Sequence, residues 1–225
     1  MTINEKIYAF LCVLFSVIIV TGNLISRKFV SFDLFSFYTF EVSAGALLYP
    51  LTFLITDIIA EFFGREKSTF CVRLAISVNI FISLIIMVID KLDATSWSKL
   101  TSEQFSYVFG YYNVGFIGSI IAFYTSQSVD IRLYLLIKKM TKDKMIWLRN
   151  LGSTSVALLI DTSIVITILT VFGDFPKDSM FTLIINSYIY KLFFAICNVP
   201  IFYCYCYAIK LLQKRESKIK EVDII

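Results

Sequence analysis

The sequence predicts an all-α polytopic membrane protein with six transmembrane helices, and three observations carry that reading. The chain is 58% hydrophobic with a mean hydropathy of +0.78, whereas a soluble domain is about 45–50% apolar. Only 17% of its 225 residues are charged, against about 25% in a soluble domain. The apolar residues also gather into six runs, at 7–25, 42–63, 70–90, 114–137, 152–172 and 181–212. Each run is long enough to cross a hydrocarbon core about 30 Å thick at about 1.5 Å per helical residue. None alternates every second residue, as the strands of a membrane barrel would.

The first run is too long for a signal-peptide core and no small-x-small cleavage site follows it, so it reads as a retained helix. Asn23 lies near its end. The second run contains Y-P-L-T-F-L-I-T-D-I-I-A-E-F-F-G, in which Pro50, Leu54, Asp57 and Glu61 step by three or four. The two carboxylates therefore share a helix face. Pro50 frees a backbone carbonyl and bends the helix, a device found where a cavity interrupts helical pairing. Ionised together in a low dielectric, Asp57 and Glu61 repel. They need cationic partners, a shared proton, or a ligand rich in N–H donors. Glu61 has a second reading, at the membrane interface, because Gly64, Arg65 and Lys67 follow it.

The third run, 70–90, reads as a further membrane-crossing helix. In the fourth, Gln127 and Asp130 share a face that Arg132 does not. The fifth opens with Ser153 and Thr154, and Asp161 lies on the same stripe two turns later. In the sixth, Ser187, Lys191 and Asn198 precede Pro200, and Lys191 reads as a counter-ion for Asp57, Asp130 or Asp161. S-Q-S-V-D-I (126–131) and L-L-I-D-T-S (158–163) form a faint internal echo. Isolated ionisable groups at membrane depth are expensive and normally face a protein interior or cavity. The set exceeds what packing needs and predicts a polar cavity; the competing reading is an ion-pair network that binds nothing.

Charge fixes the expected orientation. Lys6, then Arg65, Lys67 and Arg73, then Lys138 to Arg149, then the tail from Lys210 to Lys220 fall on one side. Only Arg27, Lys28, Lys91, Lys99 and Lys177 fall on the other, so both termini are expected to be cytoplasmic. Residues 213–225 read as a basic tail that sets topology or touches lipid headgroups, with no nucleic-acid partner. The chain has no His, which excludes His acid–base relays and His-ligated metals. No P-loop and no G-x-G-D protease motif occurs. The expectation is a protein that is no enzyme and needs no cofactor or metal. Cys12, Cys71, Cys197, Cys204 and Cys206 read as inert buried thiols, with 204 and 206 on different helix faces.

The runs G-N-L-I-S-R-K (22–28) and E-V-S-A-G-A-L-L-Y-P-L-T-F-L-I-T-D-I-I-A-E-F-F-G-R-E-K (41–67) resemble the signature of the VUT family (YhhQ type) of queuosine-precursor transporters. Q-S-V-D (127–130), R-N-L-G-S-T (149–154), L-I-D-T-S (159–163) and Y-K-L-F-F-A-I-C-N-V-P (190–200) follow in the family's order. Two departures stand out: E-F-F-G replaces the more usual E-x-Y-G, and R-K at 27–28 replaces a single basic residue. The resemblance implies a six-helix protein similar to the substrate-binding (S) components of energy-coupling-factor transporters. It further implies import of 7-deazaguanines (7-cyano-7-deazaguanine, 7-aminomethyl-7-deazaguanine or queuine) across the bacterial inner membrane, for salvage into tRNA modification. Asn23, Asp57, Glu61, Gln127, Asp130, Asp161 and Lys191 occupy family-like positions, and Asn198 joins this substrate-binding set. A deazaguanine presents N1–H and N2–H₂ as parallel donors that a carboxylate accepts as a fork, and an O6 that Asn, Gln or Lys can serve. Asp57 and Glu61 are expected to take that donor edge, with aromatic rings against the flat base. Two alternatives stay open: the binding component of a vitamin-type transporter with a separate ATPase module, and an accessory membrane subunit. A homo-oligomer or an energising partner also stays open.

Overall fold

The computed structural model describes residues 2–26, 28–34, 38–110, 114–172 and 176–222. In chain order they form α1 (Ile3–Leu24), β1 (Phe29–Leu34), β2 (Tyr38–Ser43), α2 (Ala44–Asp90), α3 (Ser102–Phe109), α4 (Val114–Met140), α5 (Ile146–Val171), a 3-10 turn (Lys177–Ser179) and α6 (Met180–Val222). α1, α2, α4, α5 and α6 are each long and apolar enough to cross a membrane. This is an all-α polytopic membrane protein, to which one short hairpin is added.

α1 starts at a capping box in which Thr2 and Glu5 exchange side-chain and backbone hydrogen bonds. α2 is 47 residues long, about 70 Å at helical rise and more than twice the hydrocarbon thickness. It is broken at Gly64, whose φ of 81° and ψ of −178° lie outside the helical region. The two apolar runs 42–63 and 70–90 meet at this break, with no loop between them. α6 likewise outruns its apolar stretch, so the predicted basic tail continues as helix to Val222.

The hairpin was not legible from helical periodicity. β1 and β2 pair antiparallel, with Phe29 opposite Ser43 and Leu34 opposite Tyr38; F-V-S-F-D-L and Y-T-F-E-V-S are rich in β-branched and aromatic residues. α3 is a short interfacial-length helix opened by a second capping box, Thr101 with Gln104. α5 begins six residues before its apolar run because Arg149 and Asn150 depress local hydropathy yet are buried, at 1% and 5% exposed.

α4 packs most extensively on α5 and α1 on α2, while α6 covers α5 and α2. Phe15, Ile58, Ile59, Cys71, Ala75, Tyr134 and Phe202 centre the core. Gly45 lets α1 and α2 touch: a Cβ there would sit 2.2 Å from the Gly22 carbonyl oxygen. Large apolar side chains such as Phe10, Val13, Phe81, Val88, Ile117 and Phe181 point outward, as they should where the solvent is lipid. Cys12, Cys71 and Cys206 are buried free thiols, but Cys197 and Cys204 are exposed. This corrects the expectation of five buried thiols: apolar surroundings in sequence do not distinguish the lipid-facing side of a helix from its packed side.

Candidate functional site

Polar side chains run through the bundle in three tiers, set by aligned stripes on α2, α4 and α5. On α2 the stripe is Tyr49, Thr52, Thr56, Asp57 and Glu61; on α4 it is Phe123, Ser126, Gln127, Asp130, Tyr134 and Lys138. On α5 it is Arg149, Asn150, Ser153, Thr154, Asp161 and Thr162. Steps of three, four or seven, with adjacent pairs such as Thr56–Asp57 and Ser153–Thr154 side by side, keep each stripe on one broad face, and α5 runs opposite to α4 and the first half of α2.

The first tier is a cavity of about 230 Å³. Asn23 of α1, Tyr49, Thr52 and Asn79 of α2, Ser119 and Phe123 of α4, Asp161 of α5 and Lys191 of α6 line it, among Ile18, Ile19, Ile76, Ile120 and Val165. Ligand sites for drug-sized molecules span about 300–1,000 Å³, so this one suits a compact ligand. Asp161 is its charged anchor. Lys191 Nζ donates to Asp161 Oδ2 at 2.8 Å and to Thr162 Oγ1 at 3.1 Å. The Tyr49 hydroxyl donates to Asp161 Oδ1, and Lys191 Nζ lies 4.5 Å from the Tyr49 ring centroid. Phe123 meets Tyr49 edge-on at 6.2 Å. A buried ion pair flanked by aromatic edges offers a ligand both a carboxylate acceptor and an ammonium donor.

The second tier lies about two helical turns further along α2. Gln127, fully buried, accepts from Thr56 Oγ1 at 2.9 Å and reaches Thr52 Oγ1 at 3.5 Å. Asn150 Nδ2 donates to Asp57 Oδ2 at 2.5 Å. Asp130 faces Asp57, Ser153 and Thr154.

The third tier closes the end that carries the basic 138–149 turn. Arg149 Nη2 donates to Glu61 Oε1 at 2.6 Å and Tyr134 OH to Oε2 at 2.9 Å, while Lys138 Nζ lies 3.1 Å from Oε2. Arg149 Nε also donates to Tyr134 OH at 3.2 Å. Both oxygens of Glu61 are thus engaged, and its side chain is 9% exposed.

Of the residues singled out from sequence, Asn23, Asp161 and Lys191 share the cavity. Asp57, Gln127 and Asp130 gather behind it, and Glu61 belongs to the ion network. Asn198 ties α6 to α2 by donating to the Pro50 carbonyl at 3.0 Å. Neither Asp57 nor Glu61 lines the cavity. Sequence reasoning passed over Asn79, the lone amide of the third run, which is 4% exposed and faces the cavity. Tyr49 entered only as the first letter of the Y-P-L-T-F motif, and Tyr134 carried no signal among 13 tyrosines. Arg149 and Asn150 appear in the R-N-L-G-S-T match, but their place beside a basic turn kept them out of the candidate site.

Long lipid-facing helices around a small polar cavity, sealed at one end by ion pairs, define a multi-pass membrane transporter for a small molecule. The chain belongs to the family described as "Putative vitamin uptake transporter", which its residues 43–205 match. It is 28% identical over 175 residues to a "Probable queuosine precursor transporter" from Bacillus subtilis (strain 168), covering 77% of this chain and 74% of that one. No solved structure matches it. The family match bears out the resemblance read from the 41–67 signature, and it begins at Ser43 on the cavity wall.

Proposed function

We propose that this transporter imports queuosine precursors, the 7-deazaguanines, across the bacterial inner membrane, crossing it six times with both termini cytoplasmic. The ligand leaves unchanged; no catalytic step is assigned to the chain. The observation that carries the proposal is the buried Asp161–Lys191 pair in a cavity of base-like size. In this reading Asp161 accepts the N1–H and N2–H₂ donors as a fork, the role that helix-face spacing suggests for Asp57 and Glu61. Lys191 or Asn23 serves O6, and Tyr49 and Phe123 contact the flat faces. The relative from Bacillus subtilis supports this substrate class by its name; the family description keeps a vitamin as the competing ligand.

The test is a binding screen of the purified protein against cyano-, aminomethyl-deazaguanine, queuine and a set of water-soluble vitamins. Binding of at least one deazaguanine is expected, weakened about 10- to 150-fold by Asp161→Asn, the value of one charge-assisted hydrogen bond. Binding of a vitamin alone would replace the deazaguanine assignment.

A further inference from the structure

Asp57 and Asp130 are both fully buried. Among the described residues no lysine or arginine pairs with either: Arg149 and Lys138 serve Glu61, and Lys191 serves Asp161. Asn150 satisfies Asp57 Oδ2, but among the described residues Asp57 Oδ1, both oxygens of Asp130 and the hydroxyl of Thr154 make no hydrogen bond of good geometry, Ser153 and Thr154 being the hydroxyls beside Asp130. Thr154 is itself only 5% exposed and lies against Asp130. The other titratable groups facing this pair are Glu61 on α2, Tyr134 on α4, Arg149 on α5 and Cys206 on α6. Of these only Arg149 is cationic; its Nη2 and Nε are taken by Glu61 and Tyr134, and its Nη1 makes no hydrogen bond but lies 3.7 Å from Asp143 Oδ1.

Two fully buried carboxylates in contact and without a paired counter-charge are disfavoured when both are ionised. One proton removes a charge and turns two acceptors into a donor and an acceptor. A hard metal cation fits less well, since it takes about six or more oxygen ligands, and no cluster of three metal-ligating side chains occurs among the described residues. The site also communicates with the cavity. Thr52 lines it, Gln127 bonds Thr52 and Thr56, and Asp57 follows Thr56 in the chain.

We propose that Asp57 and Asp130 form a carboxyl–carboxylate pair that holds one proton and couples its passage to ligand transport. The proton adds to a carboxylate oxygen from the cavity side and leaves the resulting carboxyl toward the Glu61–Arg149 end, so each turnover moves one proton and no bond of the ligand changes. Buried carboxylates of this kind serve as proton relays in membrane bundles. The proposal rests on the deazaguanine reading above and adds its energy source.

Infrared difference spectroscopy of the intact protein in nanodiscs tests the pair without any ligand. At neutral pH the wild type is expected to show a protonated carboxyl stretching band that disappears in both Asp57→Asn and Asp130→Asn. Absence of that band in the wild type, or its survival in both variants, overturns the pair. Wild-type proteoliposomes then test coupling. Uptake of labelled 7-cyano-7-deazaguanine is expected to rise several-fold under an inward proton gradient, while counterflow exchange proceeds without one. Counterflow with no response to the proton gradient, or a response to sodium instead, overturns the coupling alone. Absence of counterflow for every deazaguanine overturns the substrate reading and the coupling with it, yet leaves the infrared band as a separate result.

Discussion

At Lys191 the arithmetic of a buried ion pair decides what a substitution does. Its side chain is 12% exposed and that of Asp161 2%, so neither charge is screened by bulk water. Removing one partner strands the other, a loss of about 3–5 kcal/mol for a well-buried pair. Lys191→Ala is therefore expected to lower the melting temperature in detergent, and adding Asp161→Ala should recover part of the loss, because no charge is then left alone. Equal melting of the single and double variants would show the pair to be worth little. Arg149→Ala has a parallel effect on Glu61, but Arg149→Lys is also expected to be damaging. Arg149 binds Glu61 and Tyr134 from separate nitrogens, a fork that a single ammonium cannot reproduce. Denaturation that leaves Arg149→Lys at wild-type stability would reduce the contact to simple charge pairing. Much of this was legible in the sequence, since Asp57, Asp130, Asp161 and Lys191 are conspicuous in apolar runs. Which carboxylate Lys191 reaches was not, because helical phase gives a face and never a neighbouring helix. Tyr49 and Asn79 were missed for a different reason: tyrosine and asparagine do not stand out by charge.

The elements divide in the same way between what periodicity carries and what it does not. Six apolar runs appear as five long helices because Gly64 changes direction within α2 without a loop. Hydropathy falls there as it would at a loop, over G-R-E-K, so composition alone cannot distinguish the two. The hairpin 29–43 escaped because helical periodicity dominates a chain with so little strand. Gly64 offers a sharp test of the break. Its φ of 81° is strained for any residue with a Cβ, although a Cβ placed there meets nothing within 4 Å. Gly64→Ala should then lose about 1–3 kcal/mol from backbone strain alone, seen in thermal melting, while ligand affinity stays near wild type because the cavity lies about 18 Å away along the helix. Unchanged stability would mean that the two halves of α2 realign into one straight helix. Gly45→Val acts on the cavity instead. It drives a side chain into the Gly22 backbone on the cavity wall, and weaker ligand binding is the expected result.

Over the whole molecule, the side-chain contacts and the charge distribution choose the same end of the bundle. Tyr8 on α1 donates to the Lys67 carbonyl just past the break. Lys138 reaches Glu61, the Trp147 amide donates to Tyr203, and Gln213 donates to Asn4. These contacts gather the N-terminus, the Gly64 break, the 138–149 turn and the last turns of α6 at one end. That end holds Lys6, Arg65, Lys67, Lys138, Lys139, Lys142, Lys144, Arg149, Lys210 and Lys214. At the opposite end Ser106 of α3 bonds Asp90 and the Ala44 amide bonds Lys28, with Lys91, Lys99 and Lys177 the other described cations in its connections. A charge difference of this size orients membrane proteins with the basic end in the cytoplasm. In the proposed orientation, with both termini cytoplasmic, the cavity lined by the ends of α1 and α2 nearer the hairpin would face the outside and the Glu61–Arg149 network would close the cytoplasmic side. A fluorescent reporter fused after Ile225 is expected to glow, and an exported phosphatase fused between Lys91 and Thr101 to be active. The reverse pair of results would invert the protein, place the ion network on the outer face, and make the cavity a site for export.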